Sequence, residues 1–362
     1  MKRVFTIFFL ITAVLALVSC SLFPSKPEST AVPTQVIPKS TPTQQQEPLI
    51  GPQIPLIFSH DGAPDDIITA VYLAKHPQID MLGVILSYGE IRPPQAAPEW
   101  SAFLYEVLDE KDVPLAVGSS QALDPASHEF PLDWRNSADE FWGLELPQTT
   151  LSPVETSGAD LLIELVNASP QKVTVLVTGA NTDLALALQK DPAIAENITR
   201  VVIMGGAFHT GGNIYANAGD QSNDVAEWNI FVDPLAAKIV FNAGISLLVM
   251  PLDAANDIWV TPDATAQLED VTDPAMRLLS QLFLDQFERW GGPFQIWDVL
   301  AAVAMVDESI FTWEYDVLDV IDIPGDAHGQ TIDLDQESAT DRFAVTVDPD
   351  QLGENLLWVF SQ

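Results

Sequence analysis

The sequence predicts an α/β fold in which a doubly wound, mostly parallel central sheet is flanked by helices. Two observations predict this class. Short apolar segments alternate with helical segments from residue 54 onward, and glycine, threonine or acidic residues follow the apolar segments. Repeated strand-then-helix units produce parallel strands joined by helical crossovers. Ligands of such sheets bind beyond the carboxyl ends of the strands, so functional residues are expected there.

The first predicted strand is Ile54–Phe58, whose residues are consecutively apolar, as in strands that are covered on both faces. Apolar residues recur at helical spacing after Asp66, which predicts the first helix. The same two patterns predict the next elements: a strand at Met81–Leu86, a helix around Trp100–Leu108 and a strand at Val113–Val117. Residues 120–156 show neither pattern, so they are interpreted as a long functional loop.

The second half of the chain continues the alternation. Its predicted elements are a helix at Ala159–Asn167, a strand at Val173–Val177, a helix from Asp183 and a strand at Val201–Met204. Asp233 and Pro234 are typical of a helix N-terminus, and Gly244 is expected to end that helix. Ser246–Leu252 is the next predicted strand.

Residues 54–362 have the composition of one folded domain, since no internal repeat or second linker interrupts them. Residues 20–53 are rich in Pro, Ser, Thr and Gln and predict a flexible tether. The chain has 15 basic and 51 acidic residues, which give a formal charge of −36. This charge argues against nucleic acid as a partner, against electrostatic binding to anionic lipid and, more weakly, against highly anionic substrates.

Residues 1–19 predict an export signal, because two basic residues precede an apolar run that is too short for an ordinary spanning helix. The segment Leu17-Val18-Ser19-Cys20 resembles a bacterial lipobox, which implies cleavage before Cys20 and lipidation of its thiol. Cys20 is the only cysteine, so the mature chain has no internal disulfide and no thiolate zinc site. We expect an extracytoplasmic protein that is lipid-anchored to a bacterial membrane. A cleaved signal peptide with an incidental cysteine is the alternative.

Three carboxylates lie within six residues in the turn between the first strand and the first helix: Asp61, Asp65 and Asp66. Like charges this close repel each other, so the arrangement is costly unless a cation neutralises them. Carboxylate oxygens without Cys or clustered His suggest Ca²⁺ or Mg²⁺ rather than zinc. The alternative is that Asp65 or Asp66 only caps the helix and interacts with its dipole, which accounts for one or two of the acids.

Several segments near the predicted strand ends carry further motifs. Ser59–Asp66 resembles a D-x-D-P-G-x-D-D turn and matches its last three aspartates. Ala226–Asn229 resembles an A-E-F-N block, with Trp in place of Phe. The remaining segments follow in order: Val177–Asp183, Val202–Gly206, Asp233–Ala237 and Trp297-Asp298. Together they resemble the inosine-uridine-preferring nucleoside hydrolase family over residues 54 to about 350. The resemblance implies a Rossmann-like domain that hydrolyses the N-glycosidic bond of nucleosides.

The resemblance also implies roles for individual residues. It implies a Ca²⁺ held by four ligands: Asp61, Asp66, Asp298 and the backbone carbonyl of Thr178. Asp61 is implied to be the general base. The ribose hydroxyls are assigned to three side chains, with Asp65 and Asn229 on the 2′- and 3′-hydroxyls and Glu227 on the 5′-hydroxyl. The alternative is that Glu227, Asn229 and Asp298 only cap or support nearby helices.

The chain departs from the family at several positions. Ser59 replaces the first aspartate of the turn, and Glu90 stands where an asparagine usually contacts the site, so it adds a negative charge near the ribose or the metal. The alignment of Gly211–Ser222 is shifted, so Asp220, Gln221 and Asn223 are all candidates for the usual amide.

Trp297 stands where many relatives have a histidine that acts as general acid. Tryptophan cannot act as a general acid at neutral pH, but it can stack on a base. In this respect the chain resembles the purine-preferring subgroup of the family. Trp134 or Trp142 is expected to cover the other face of the base; packing of Trp297 in the core is the alternative. His60 is the nearest histidine, and its acidic neighbours are expected to keep it protonated.

The sequence thus predicts a lipid-anchored, Ca²⁺-dependent hydrolase that releases free base and ribose from ribonucleosides. Such an enzyme is expected to supply purine salvage. The resemblance suggests a homodimer or homotetramer. A non-catalytic nucleoside-binding lipoprotein is the main alternative, since Ser59, Glu90 and Trp297 depart from the family. A metal-dependent phosphohydrolase is disfavoured because the motifs include no Lys or Arg clamp for phosphate.

Overall fold

The computed structural model describes residues 53–214, 223–266, 272–334 and 339–362, together with the backbone of residues 34–35. Its main sheet has eight strands. In chain order they are β1 (Ile54–His60), β2 (Ile79–Leu86), β3 (Leu115–Val117), β4 (Val173–Val177), β5 (Ile198–Met204), β6 (Leu247–Met250), β7 (Phe311–Asp316) and β8 (Asp341–Val347).

The strands lie in the spatial order β7-β8-β6-β5-β4-β1-β2-β3. All neighbouring pairs are parallel except β7 and β8, which form an antiparallel pair at one edge. The chain winds outward from β1 in one direction through β2 and β3, and then returns to place β4 on the other side of β1. The predicted doubly wound, mostly parallel sheet is therefore confirmed, and its topological switch point lies between β1 and β4.

Helices cover both faces of this sheet. Their bounds are α1 (Pro64–Lys75), α2 (Pro93–Ala102), α3 (Leu132–Asp139), α4 (Gly158–Ala168), α5 (Thr182–Lys190), α6 (Trp228–Phe231), α7 (Pro234–Phe241), α8 (Leu252–Ala255), α9 (Pro262–Thr265), α10 (Pro274–Trp290), α11 (Asp298–Val306) and α12 (Pro349–Phe360). A π-helical turn at Phe103–Val107 continues α2, and 3₁₀ turns occupy Phe141–Gly143, Pro192–Asn197 and Glu308–Ile310.

Two small sheets complete the strands. Ile258–Val260 pairs with Phe294–Gln295 and, in a two-residue parallel ladder, with Thr34–Gln35, and Leu318–Val320 pairs with Thr331–Asp333.

The core has two layers, one on each face of the sheet. Leu56 and Phe58 of β1 contribute to one layer, whereas Ile57 between them contributes to the other. All three side chains are fully buried. Both faces of β1 need apolar residues, which explains why its sequence is apolar without alternation.

Some element boundaries differ from the sequence prediction. Residues 120–156 are not a structureless loop, because α3 and a 3₁₀ turn lie within them. The helix predicted around Trp100–Leu108 begins earlier, at Pro93, since proline is well placed in the first helical turn. The helix after Asp233 ends at Phe241 before it reaches Gly244. The strand predicted at Ser246–Leu252 is shorter, because Leu252 already begins α8.

The predicted signal and tether, including Cys20, lie outside the described residues, apart from the short ladder at Thr34–Gln35. Within the described ranges, none of the helices combines the length and the apolar character needed to cross a membrane.

Candidate active site

The acidic turn lies at the switch point of the sheet. β1 ends at His60, α1 begins at Pro64, and Asp61 lies between them. Asp65 and Asp66 belong to the first turn of α1, where carboxylates are favoured by the helix dipole. Asp66 accepts hydrogen bonds from the Ala63 backbone N–H at 3.0 Å and from Thr178 Oγ1, beyond the end of β4, at 2.5 Å. Asp66 is therefore a helix cap and also a link between β1 and β4.

Asp61 is held in a narrow space between two glycines. Its Oδ2 accepts a hydrogen bond from the Glu90 backbone N–H at 2.9 Å. A Cβ at Gly89 would lie 2.1 Å from Asp61 Oδ2, and one at Gly179 would lie 2.6 Å from Asp61 Cβ. Both glycines thus allow the backbone to approach the carboxylate closely, which a larger residue would prevent.

Asp65 brings the distant Trp297-Asp298 pair to the acidic turn. Its Oδ2 accepts the backbone N–H of Trp297 at 2.7 Å and that of Asp298 at 3.0 Å. These N–H groups belong to the N-terminus of α11, so an acid from α1 caps another helix. Asp298 is the first residue of α11 rather than its N-cap, which makes its carboxylate available to the site.

Glu227 and Asn229 lie at the start of α6. Glu227 caps this helix, because its carboxylate accepts the backbone N–H groups of Asn229 at 3.0 Å and Ile230 at 3.3 Å. Asn229 Nδ2 donates to the carbonyls of Thr178 and Met204, both at 3.2 Å. Asn229 Oδ1 forms no hydrogen bond with any other described residue, so it is available to a ligand. The Thr178 carbonyl, which was predicted to be a metal ligand, lies in the site, but it already accepts a hydrogen bond from Asn229 Nδ2.

The electrostatics of the site are dominated by buried acids. Burial, with smaller contributions from Asp65 and Glu227, raises the pKa of Asp61 to about 7 against the opposing effect of the Glu90 N–H. Burial raises the pKa of Glu227 to about 7 as well. The pKa values of three further carboxyls lie well above their usual range because of burial and neighbouring acids: Asp66, Glu90 and Asp298.

His60 does not behave as the sequence suggested. It is fully buried behind the acidic turn, between the rings of Phe58 and Trp100 at centroid distances of 4.7 and 4.0 Å. Burial lowers its pKa to about 3, so His60 is neutral, and the prediction of a protonated imidazole is wrong. Its Nδ1 is 3.8 Å from Asp66 Oδ2, too far for a hydrogen bond, so no bonded acid offsets the desolvation of a charged ring.

A cavity of about 480 Å³ opens above these acids. Five carboxylates line it: Asp61, Asp65, Glu90, Glu227 and Asp298. Its other prominent group is aromatic: Phe130, Trp134, Trp142, Trp228, Trp259, Trp290, Phe294 and Trp297. Among the described residues that line the cavity there is no Lys, Arg or His. The cavity therefore presents an anionic end and an aromatic end, which suits a ligand with a polar hydroxylated part and a flat ring.

The tryptophans that the sequence singled out all line this cavity. Trp297 donates its indole N–H to Asn256 Oδ1 at 3.3 Å and is only partly buried. Trp142 donates its indole N–H to the carbonyl of Gly62, in the acidic turn, at 2.9 Å. The Trp142 backbone is left-handed, with φ of +58°, a costly conformation for a bulky residue. Trp134 packs edge-on against Trp290 at 6.1 Å.

Sequence reasoning missed several other lining residues. Trp228 stood in the quoted A-E-F-N block as an aromatic and could have been noticed there, but Trp259 and Trp290 belong to no motif. The polar side chains Asn213, Asn256, Gln286 and Gln295 also line the cavity without a motif.

Of the predicted amide candidates, Asn223 lies outside the cavity, because its Nδ2 donates to the His328 carbonyl at 2.7 Å and its Oδ1 caps Val225 and Ala226. Asp220 and Gln221 lie outside the described residues. Ser59 is buried in β1, and Glu90 lines the cavity as expected.

The donor set suits a hard cation. Asp61, Asp66 and Asp298 are buried oxygen donors; Asp61 raises the pKa of both Asp66 and Asp298, and the lining side chains described include no cationic partner. A bound cation would offset this repulsion and keep the carboxylates ionised. Within the described ranges, no three His, Cys, Asp or Glu side chains are already grouped closely enough to form a metal site.

The switch-point site and its cavity define an α/β enzyme that acts on a small hydroxylated ligand. A family model for inosine-uridine preferring nucleoside hydrolases matches residues 56–354. The chain therefore belongs to the inosine-uridine-preferring nucleoside hydrolase family and is an N-glycosyl hydrolase of nucleosides. Members of this family are typically metal-dependent.

Individual relatives agree with this assignment. Uridine nucleosidase 1 of Arabidopsis thaliana is 28% identical over 277 residues, which cover 75% of this chain and 80% of the relative. The pyrimidine-specific ribonucleoside hydrolase RihA of Salmonella arizonae is 30% identical over 245 residues, 66% of this chain and 74% of the relative.

The fold also matches solved structures. A plant nucleoside hydrolase, the PpNRh1 enzyme, superposes with a TM-score of 0.75 at 26% identity over 85% of this chain and 99% of its own. A purine-preferring ribonucleoside hydrolase from Gardnerella vaginalis shares the fold, with a TM-score of 0.74 at 24% identity over 84% of this chain and 98% of its own.

Proposed function

We propose that this protein is a Ca²⁺-dependent ribonucleoside hydrolase, acting preferentially on purine nucleosides, that releases free base and ribose at the cell envelope. The observation that carries this proposal is that Asp61, Asp65 and Asp298 line one aromatic cavity, with Asp66 buried near Asp61 and Asp65. N-glycosidic cleavage develops positive charge on the ribose, and a group of carboxylates stabilises that charge.

Asp61, Asp66, Asp298 and the Thr178 carbonyl would hold the Ca²⁺. All are oxygen donors, which Ca²⁺ prefers, and they come from three separate segments that the hydrogen bonds of Asp65 and Asp66 join. When bound, the ion would supply positive charge that makes water a better nucleophile. Mg²⁺ is the competing ion. Restoring activity to the chelated enzyme with Ca²⁺ in one sample and with Mg²⁺ in another distinguishes the two.

Asp61 is proposed to accept the proton of the attacking water. Its Oδ2 is fixed by the Glu90 backbone N–H, which orients the carboxylate. A general base works best when its pKa lies near the working pH, and burial raises the pKa of Asp61 toward neutrality.

Ribose recognition is proposed to use Asn229 and Asp65. Asn229 Oδ1 has no partner among the described residues, whereas the Asp65 carboxyl accepts two backbone N–H groups through Oδ2 and also bonds the Asp298 side chain. Glu227 is assigned to the 5′-hydroxyl, although its carboxylate already accepts two backbone N–H groups of α6. A deoxyribose would leave such buried groups unpaired, so ribose is expected to be preferred.

Base binding is proposed to depend on stacking against Trp297. The lining residues described include no histidine that could protonate the leaving base. Stacking on an electron-rich ring stabilises a base as it gains a proton, and it favours the larger purine surface. Preference for pyrimidine nucleosides is the competing proposal, because two relatives are named for uridine and for pyrimidine nucleosides. Nucleosides of both classes of base are therefore included in the assay.

We further propose that Cys20 carries the lipid anchor and that the mature enzyme is extracytoplasmic. This part rests on the lipobox-like segment and on the apolar run before it. Metabolic labelling with a lipid precursor, compared between the parent and Cys20→Ala, tests it. A homodimer or homotetramer is expected, and light scattering on the chain from residue 21 measures it.

The experiment that tests the catalytic proposal is ribose release from inosine, guanosine, uridine and cytidine, with and without chelation and Ca²⁺ re-addition. We expect release from the purine nucleosides, its loss on chelation, and its loss in Asp66→Ala. Saturable nucleoside binding without ribose release would instead support the nucleoside-binding lipoprotein. Phosphate release from nucleotides would support a phosphohydrolase.

A further inference from the structure

A second cavity, of about 230 Å³, lies outside the substrate cavity and shares none of its lining residues. Its polar lining includes two imidazoles, His128 and His328, and the amide of Asn223. Phe231, the last residue of α6, forms part of its wall. The cavity lies between the chain that follows β3 and the turn that precedes Gly329.

The tautomer of His328 is set by a buried carboxylate. His328 Nε2 lies 3.0 Å from Asp124 Oδ2, and both side chains are almost fully buried. Asp124 Oδ1 accepts the Ala126 backbone N–H at 2.7 Å. Because a carboxylate oxygen accepts hydrogen bonds, the tautomer that bonds Asp124 carries its proton on His328 Nε2. In the neutral ring, the lone pair is then on Nδ1, which forms no hydrogen bond with any residue in the described ranges.

His128 is held by stacking rather than by hydrogen bonds. Its ring lies 3.9 Å from that of Phe231 and nearly parallel to it, at 7°. Neither ring nitrogen forms a hydrogen bond with the part of the chain that the structure describes. A neutral imidazole with a free nitrogen is a metal ligand.

The two ring centres are 5.6 Å apart, at an interplanar angle of 64°. Zn–N bonds of about 2.0–2.1 Å place the centres of two imidazoles on one tetrahedral ion roughly 5 Å apart. The Asp124–His328 pair also reproduces the carboxylate–histidine arrangement that orients metal-ligating histidines. We propose that His128 and His328 form a binding site for a zinc-class divalent transition metal ion, with water completing its coordination.

This site would differ in chemistry from the acidic floor of the substrate cavity, by which we mean Asp61, Asp65, Asp66 and Asp298. Imidazole nitrogen selects ions such as Zn²⁺ and Co²⁺, whereas carboxylate and carbonyl oxygens select Ca²⁺ and Mg²⁺. The net charge of −36 raises the local concentration of any cation. An ion here would tie the chain after β3 to the His328 turn, whose carbonyl already accepts Asn223 Nδ2. It would do so beside α6, which carries Asn229.

The test uses the untagged chain from residue 21 in excess Ca²⁺, which occupies the acidic floor. Zn²⁺ is titrated by calorimetry and Co²⁺ by visible absorption. We expect one ion per chain and an absorption typical of nitrogen-bound Co²⁺. His128→Phe keeps the ring that stacks on Phe231 but removes both nitrogens, so this ion should be lost while ribose release is retained. Asp124→Asn should weaken Zn²⁺ binding by about 10–100-fold, as loss of an orienting carboxylate does.

His209→Ala is the matched control, because His209 is an exposed imidazole paired with Glu314 at 2.9 Å. It should leave the stoichiometry unchanged. Zn²⁺ binding that is equally strong in His128→Phe, or no Zn²⁺ or Co²⁺ bound by the parent chain, would overturn the proposal. Because ribose release in each variant is measured separately, failure here is distinguishable from failure of the hydrolase proposal.

Discussion

The substrate cavity has two regions that are built in opposite ways. The acidic floor consists of Asp61, Asp65 and Asp298, which line the cavity, together with Asp66, which is buried near Asp61 and Asp65. We use the term aromatic wall for the six tryptophans that line the cavity: Trp134, Trp142, Trp228, Trp259, Trp290 and Trp297. Three of the four floor residues come from one six-residue turn, whereas the wall collects tryptophans from across residues 134–297. A local turn can therefore supply charge, but only the folded domain can assemble a broad apolar surface.

The two regions also differ in energetic cost. The floor buries like charges, as the raised pKa values of Asp66 and Asp298 show, so it opposes folding unless a cation binds. The wall buries large rings and contributes favourably. Its pieces are joined by contacts such as Arg289 above the Trp142 ring, at 4.9 Å. The wall thus supports a floor that is unfavourable by itself, and each region can be perturbed separately.

The largest effect is expected on the floor. Asp61→Asn keeps the size of the side chain but removes the base, so kcat should fall by about 10²–10⁴-fold. The unfolding temperature in Ca²⁺-free buffer should hold or rise, because one buried charge is removed. Turnover numbers from ribose release, together with thermal unfolding, measure both. Asp183→Asn is the matched control, since Asp183 is a buried acid outside the cavity, and it should retain activity. Parent-like turnover by Asp61→Asn would exclude Asp61 as the base.

The second prediction concerns pH and uses Asp183 as the reference acid. Burial raises the pKa of Asp183 from 3.8 to about 7, so the folded chain binds its proton more tightly than the unfolded chain does. The resulting stabilisation is complete below pH 4 and is lost as the pH rises to about 7. Relative to the parent, Asp183→Asn should therefore gain a few kcal/mol of unfolding free energy between about pH 4 and 7.

Urea unfolding of both chains across this pH range gives the difference directly. Taking the difference also cancels the similar titration of the acidic floor. A parent-minus-variant difference that does not change with pH would show that Asp183 is charged in the folded protein.

The third prediction concerns the wall. Trp297→Ala should lower kcat/KM for purine nucleosides by roughly 10–100-fold, because stacking of a base on an aromatic ring contributes about 1–3 kcal/mol. The backbone N–H that Trp297 donates to Asp65 is retained, so the floor should stay intact. Trp290→Ala, at the exposed rim, is the comparison and should have a smaller effect. Equal losses for purine and pyrimidine substrates would argue against purine stacking as the basis of preference.

The smallest effect is expected where wall and floor meet. Trp142→Phe removes the indole N–H that binds the Gly62 carbonyl, and this should cost about 1 kcal/mol of unfolding free energy. KM should also rise, because the acidic turn loses a contact with the wall. Trp313→Phe removes a similar 2.9 Å bond, to the Glu308 carbonyl, away from the cavity. That control should lose stability without a change in KM.

Much of the scaffold could be predicted because it depends on local patterns. Ile54–Phe58 is apolar throughout, and only a strand covered on both faces has that pattern, so the parallel sheet followed. The acidic turn was visible because its three acids are neighbours in sequence. The helix α3 (Leu132–Asp139) was missed because it is short and its residues are mostly polar.

The class of sheet, the acidic turn and the positions of the family motifs can be recognised from the chain alone, since strand burial and turn chemistry are encoded in adjacent residues. The membership of the aromatic wall and the capping of α11 by Asp65 depend instead on the tertiary fold. The same fold makes His60 neutral, as described above. Desolvation and contact depend on residues that are distant in the chain, and no local pattern records which of them will meet.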